Sequence, residues 1–158
     1  MIRAFGVLLF SLFLFGSLSA YRKEENRGLS EYRGLYRLIL HLSSAISELP
    51  LPLCEIYATF EDDALLAAGF LPILQKEGLA AALSRDCVRI EHEKLAPFRD
   101  YAKGLGTRLY TEEQRAARQL AAEAERTLAA WEAALPQSQK ITRTLSLTGG
   151  ALVLLLLL

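Results

Sequence analysis

Few residues in this chain have the types and spacing that chemistry needs. His41 lies in a run from Leu35 to Leu49 whose apolar residues recur at helical spacing. A role as a base there competes with the plainer reading of a buried or half-buried structural histidine. His92 stands in Glu91-His92-Glu93, which a solvated helix face explains, and the spacing does not give the H-E-x-x-H zinc pair. Cys54 follows Pro52-Leu53 near a predicted helix start, where a thiol pKa is lowered and the thiolate favoured. No histidine neighbours it in sequence to act as its base. Cys87 is far from Cys54 and completes no C-x-x-C. Two free thiols are therefore expected, in place of a zinc site or a disulfide framework.

Glu61-Asp62-Asp63 is the densest carboxylate cluster. Three adjacent carboxylates on one turn cannot converge on one cation, so complementing a helix dipole is their expected role. Gly104-x-Gly106 precedes a helix start and suggests a phosphate cradle. It follows no strand, however, and Glu112-Glu113 behind it would repel an anion. Arg33, Arg37, Arg115, Arg118 and Arg126 read as solvated faces, some of them available to a partner. No residue is assigned as catalytic, cofactor-binding or metal-ligating, and no cofactor is implied.

The elements that would position these residues are helical throughout. Leu35, Leu38, Leu42, Ala45 and Leu49 alternate three and four apart, and Ile39 and Ile46 widen the stripe into a broad buried face. Ser30 either caps this helix, or the helix continues through it from Tyr21. Pro50-Leu51-Pro52 ends it, with Pro52 in the first turn of a helix from Leu53 to Phe60. Glu61-Asp62-Asp63 forms the first turn of a helix over Ala64–Ala68 that closes at Gly69. Leu71–Leu83 breaks into pieces at Pro72 and Gly78. Arg85–Tyr101 recovers helical periodicity through Val88, Leu95, Phe98 and Tyr101, with Pro97 interrupting, and Gly104-Leu105-Gly106 is a turn. Thr111 to Gln114 forms a capping box. The helix it opens carries Ala117, Leu120, Ala124, Leu128, Trp131 and Leu135 on one face, with Trp131 as a core anchor. No strand alternation occurs, so the fold class is all-α: an antiparallel helical bundle.

Composition narrows the function. Lysine plus arginine number 18 and aspartate plus glutamate number 18, a balance that argues for neither nucleic acid nor an acidic small-molecule substrate. All acidic residues fall between Glu24 and Glu132, whereas Ala4–Ala20 and Thr144–Leu158 carry no side-chain charge. The first segment would form a helix of roughly 25 Å, and the second is shorter, against a hydrocarbon layer of about 30 Å. Both are tolerable as membrane helices if flanking residues snorkel or the bilayer thins. Met1-Ile2-Arg3 and the apolar run after it also fit a signal peptide cleaved at Ser17-Leu18-Ser19. With two spans, Arg22, Lys23, Arg27, Lys140 and Arg143 place the middle in the cytoplasm, opposed only by Arg3 and the amino terminus. The expected organisation is an N-terminal membrane helix over 1–20, a cytoplasmic bundle over 21–143 and a C-terminal membrane helix over 144–158.

Several motifs fall in an order that resembles the stage III sporulation protein AB family of endospore-forming Firmicutes. They are the arginine-rich Tyr21-Arg22-Lys23 through Tyr36-Arg37, the turn Pro50-Leu51-Pro52, and Phe98-Arg99-Asp100-Tyr101-Ala102-Lys103-Gly104-Leu105-Gly106 followed by Glu113 and Gln114. Thr144-Leu145-Ser146-Leu147-Thr148-Gly149-Gly150 into a leucine-rich end completes the set. The likeness is thin from Phe60 to Arg89. The acidic residue that in the family directly follows the proline turn is displaced here to Glu55, Ala102 replaces a frequent glycine, and Pro136 departs from an uninterrupted last helix.

The resemblance implies a cytoplasmic bundle similar to the F-domains of type II secretion inner-membrane proteins. It implies a non-enzymatic platform in the mother-cell membrane, part of a channel joining mother cell and forespore. Its partners would be a secretion-type ATPase, other channel subunits and membrane lipid. Two rival readings come from other classes: an exported helical binding domain with a cleaved leader and a C-terminal anchor, and a small membrane enzyme using His41 or Cys54.

Overall fold

The computed structural model describes the backbone of residues 2–48 and 52–157, and the side chains of residues 23–47 and 52–136. Among the described residues every regular element is helical and no strand occurs, as the periodicity predicts. Two long helices, α1 (Ile2–Glu48) and α7 (Tyr110–Leu157), enclose five shorter ones in the chain. These are α2 (Leu53–Thr59), α3 (Asp63–Ala67), α4 (Phe70–Glu77), α5 (Leu79–Ser84) and α6 (His92–Gly104). The chain divides into two compact units. One comprises α1 up to Asn26 and α7 from Trp131; the other is Arg27–Ala130.

The core of the larger unit is built on α1, whose Leu35, Leu38, Ile39 and Leu42 are fully buried and whose Ile46 is nearly so. Each such side chain contributes about 1.5–3 kcal/mol on leaving water. Ala45 is half-buried, and Leu49 lies outside the described residues. Tyr32 meets Phe98 of α6 edge-on at 5.6 Å, the geometry that sets the positive ring edge against the negative face. Near the start of α7, the Tyr110 hydroxyl donates to the Ile46 carbonyl, and Gln114 Nε2 donates to Ser47 Oγ at 2.8 Å. Further on, Thr127 bonds the Tyr32 side chain. These pairs step down α1 as they step up α7, so the two helices run antiparallel within this unit.

Several boundaries differ from expectation, each for a local reason. Ser30 does not cap α1. Its hydroxyl donates to the Arg27 carbonyl at 2.8 Å, as serine inside a helix does. Pro52 stands at the N-cap of α2 and not in its first turn, and Glu55 and Ile56 donate to its carbonyl. Residues 49–51 of the proline turn lie outside the described residues. Asp62 likewise caps α3 instead of entering it, in extended backbone at φ −156°. Pro72 falls in the first turn of α4, where its missing N–H costs no helical bond. The break expected there occurs only at Gly78, whose φ of 88° suits glycine.

The helix expected from Arg85 starts only at His92. Val88 and Ile90 are buried from a non-helical segment with Arg89 exposed between them, so of the positions that read as one helix only Leu95, Phe98 and Tyr101 lie on α6. Pro97 sits inside α6 without ending it. α7 begins before Thr111 can cap it, because the Leu109 carbonyl accepts the Glu113 N–H at 2.8 Å. Glu112 then reaches back to the Leu109 N–H at 3.4 Å, which is one half of a capping box, displaced along the chain. The expected Thr111–Gln114 box is not formed, and Gln114 serves the link to Ser47.

The apolar face of α7 is buried at Ala117, Leu120 and Ala124 but only half-buried at Leu128, Trp131 and Leu135. Trp131 is therefore not the core anchor expected of it, and it falls in the smaller unit. Helical backbone continues through Pro136. Among the described residues no helix is long and apolar enough to cross a membrane. The uncharged segments 4–20 and 144–158, on which the membrane expectation rests, lie outside the residues whose side chains are described.

Candidate functional site

The residues with chemical potential are dispersed. His41 is half-buried against α2, with Nε2 3.3 Å from the Ile56 carbonyl and 3.2 Å from Thr59 Oγ1. Its ring tilts over Phe60 at 5.6 Å. Partners on three sides fix it as a packing residue that ties α1 to α2. His92 is exposed at the start of α6, and the Arg99 guanidinium reaches its Nε2 at 2.9 Å. Arg99 also donates through Nε to the Leu83 carbonyl at 3.0 Å, so this pair links α5 to α6.

Cys54 is exposed and Cys87 half-buried, and both are free. Burial raises the Cys87 thiol pKa above its ordinary value, the nearby Glu31 charge adding to the effect. Among the described residues no three histidine, cysteine or carboxylate side chains converge as metal ligands. Gly106, at φ 81°, makes the glycine turn possible, and Glu112 and Glu113 follow at the helix start as expected. Arg33, Arg37, Arg115, Arg118 and Arg126 are all exposed.

What the pattern of residues did not disclose is a set of three buried carboxylates, Glu31, Asp62 and Glu113. Each has an arginine nearby. Arg27 Nε lies 3.4 Å from Glu31, Arg37 Nη2 lies 3.1 Å from Asp62, and Arg108 Nη1 lies 3.7 Å from Glu113. The first two also accept backbone donors. Glu31 takes the Arg89 N–H at 2.5 Å, and Asp62 takes the N–H groups of Ala64 and Leu65 at 3.0 and 3.1 Å. They are structural staples between α1 and the segments packed on it, since a buried charge without such partners costs several kcal/mol.

Glu113 is different. Neither of its oxygens has a well-formed hydrogen bond, and the same holds for the Tyr101 hydroxyl and Arg108 Nη1. Arg108 also lies over the Tyr101 ring, 5.6 Å from its centroid, within range of a cation–π attraction. Burial, and then the adjacent Glu113 charge, push the Tyr101 hydroxyl well above the ordinary phenol range. Tyr57 is raised to about 12, first by burial, with Glu113 adding to it. Two neutral phenols thus border one buried carboxylate.

Above this cluster α6 and α7 leave an open groove of about 460 Å³, with Tyr101 and Arg108 in its lining. Its walls carry Glu93 and Asp100 from α6 and Glu123 from α7, and its floor includes Pro97 and Leu120. The groove holds no nucleophile and no histidine, so what it offers chemically is a non-covalent contact. Two successive helices joined by the glycine turn contribute to it, and neither reads as a binding motif alone. Known proteins give no further guide: no family model, no curated protein and no solved structure matches this chain.

Proposed function

We propose that this chain is a non-enzymatic membrane platform subunit of a secretion-like channel complex of the sporulation type. Its helical domain, residues 21–143, is cytoplasmic and F-domain-like, and it docks a secretion-type ATPase and other channel components. Helices at 1–20 and 144–158 hold it in the mother-cell membrane.

The observation that carries this reading joins charge to continuity. The uncharged segments are not separate appendages; they are the outer parts of α1 and α7, the same helices that frame the charged bundle. The start of α1 and the end of α7 also belong to one compact unit, as two membrane helices sharing a bilayer would. The order of the proline turn, the glycine turn and the Gly-Gly tail supports the sporulation assignment.

Membranes washed with carbonate should retain the full-length chain. In intact spheroplasts, protease added outside should leave residues 21–143 uncut alongside a cytoplasmic control. Recovery in the soluble fraction would remove the membrane platform reading, and cleavage of the middle from outside would reverse the topology. A mature amino terminus near Ala20 would favour the exported domain.

A further inference from the structure

We infer that the α6–α7 groove is a docking site for a lysine- or arginine-bearing helical segment of a partner protein. The inference stands on the groove alone and holds whether or not the domain belongs to a membrane platform.

Charge complementarity identifies the occupant. Of the groove's carboxylates, Asp100 is held by Lys103 at 2.8 Å. Among the described residues Glu93 and Glu123 make no ion pair, and both are exposed on opposite walls. The only cation in the lining, Arg108, is turned toward buried Glu113 and leaves the two outer charges uncompensated. Between them lie Ala96, Pro97, Ala116 and Leu120, an apolar floor on which the hydrocarbon stem of a lysine or arginine packs while its head meets a carboxylate. Two like-charged walls 30 residues apart in the chain repel one another, and an incoming cation between them removes that repulsion. An anion, a phosphate or an acidic peptide would meet the same walls unfavourably.

A second feature points the same way. Tyr101 lines the groove and is 5% exposed, and its hydroxyl, beside the Glu113 carboxylate, makes no well-formed hydrogen bond. A guanidinium or ammonium group settling nearby donates to the phenol oxygen and adds to the positive charge that Arg108 already brings to the Tyr101–Glu113 pair.

The test is fluorescence anisotropy on the full chain in non-ionic detergent. The probe is a fluorescein-labelled alanine–lysine helical peptide, with its alanine–glutamate counterpart as comparison. The lysine peptide should bind and the glutamate peptide should not. Glu93→Gln with Glu123→Gln should weaken binding tenfold or more. So should Gln119→Trp, which fills the groove without altering charge. Glu55→Gln with Glu61→Gln removes the same total charge elsewhere and should bind like the parent, with circular dichroism checking that every variant keeps its helix content. The proposal is overturned if the lysine peptide fails to bind, if the distant pair weakens it as much as the groove pair, or if Gln119→Trp leaves it unchanged.

Discussion

The Arg37 guanidinium stands 3.1 Å from Asp62 Oδ2, while Oδ1 of the same carboxylate caps α3 through Ala64 and Leu65. One side chain thus starts a helix and fastens it to α1. Asp62 is almost wholly buried, whereas the Arg37 side chain is 61% exposed. The cap is therefore the larger contribution, because an ion pair with one partner in water is screened.

Replacing Asp62 should separate these two roles. Asp62→Ala removes the cap and leaves two buried N–H groups unpaired, a loss of about 2 kcal/mol. Asp62→Asn keeps an acceptor oxygen and gives up only the screened pair, about 0.5–1 kcal/mol. Urea unfolding of each variant checks the order, and equal losses would mean that the ion pair, not the cap, holds α3.

Gly34 should resist the substitution that usually helps a helix. A Cβ at this position would meet Asp62 Oδ1 at 2.7 Å and Leu65 Cγ at 2.8 Å. Alanine is favoured over glycine inside a helix by about 1 kcal/mol. Here the clash would push α3 from α1 and outweigh that gain, giving a net loss of about 1–3 kcal/mol. A raised urea midpoint for Gly34→Ala would show that α3 shifts without cost.

The helical class was legible because Leu35, Leu38, Ile39 and Leu42 repeat at the spacing that one buried face demands. The turns at Gly69, Gly78 and Gly106 were legible because all three positions carry φ of 78–88°, where other residues are strained. Val88 misled because a buried apolar residue seven positions before Leu95 fits a helical stripe, although the chain there is not helical and buries Ile90 two positions on. Thr111 misled because a cap depends on where the first carbonyl–amide bond forms, and Leu109 makes it earlier. Glu31, Asp62 and Glu113 were invisible because residue type marks carboxylates as surface groups, and their burial follows from arginines and backbone donors brought close only by folding. The groove was invisible for a related reason: Glu93 and Glu123 come to line one groove only in the folded chain.

Stability should fall at alkaline pH through the two buried phenols. The unfolded chain titrates its tyrosines near pH 10, whereas Tyr57 in the folded chain titrates at about 12 and Tyr101 is also raised. Below pH 10 both states are neutral, and the contribution is fully present. Above it the unfolded state loses protons first, so stability declines as pH rises toward the folded value. Urea midpoints between pH 8 and 12 should drop for the parent and drop less for Tyr57→Phe with Tyr101→Phe. Parallel curves would mean that neither phenol is held neutral.

The two cysteines should differ sharply toward a thiol reagent. Cys54 is exposed on α2, while the Cys87 thiol is half-buried, contacts the Ala82 carbonyl at 3.6 Å and has a raised pKa. Labelling of the native chain at neutral pH should give one fast equivalent and one slow equivalent, because the thiolate is the reacting form. Cys54→Ser should remove the fast phase alone. Two fast equivalents in the parent would place Cys87 at the surface.

Trp131 and Leu38 offer a direct contrast in burial. Leu38 is fully buried on α1, so Leu38→Ala should cost about 2–5 kcal/mol through lost transfer energy and the cavity left behind. Trp131 is larger but only half-buried on α7. Trp131→Ala should cost about 1–2 kcal/mol, below the range for a core aromatic. Urea unfolding of both variants under one condition makes the comparison. A loss at Trp131 equal to that at Leu38 would show that this ring is enclosed in the full-length chain, and the α7 stripe would then be buried past Ala124.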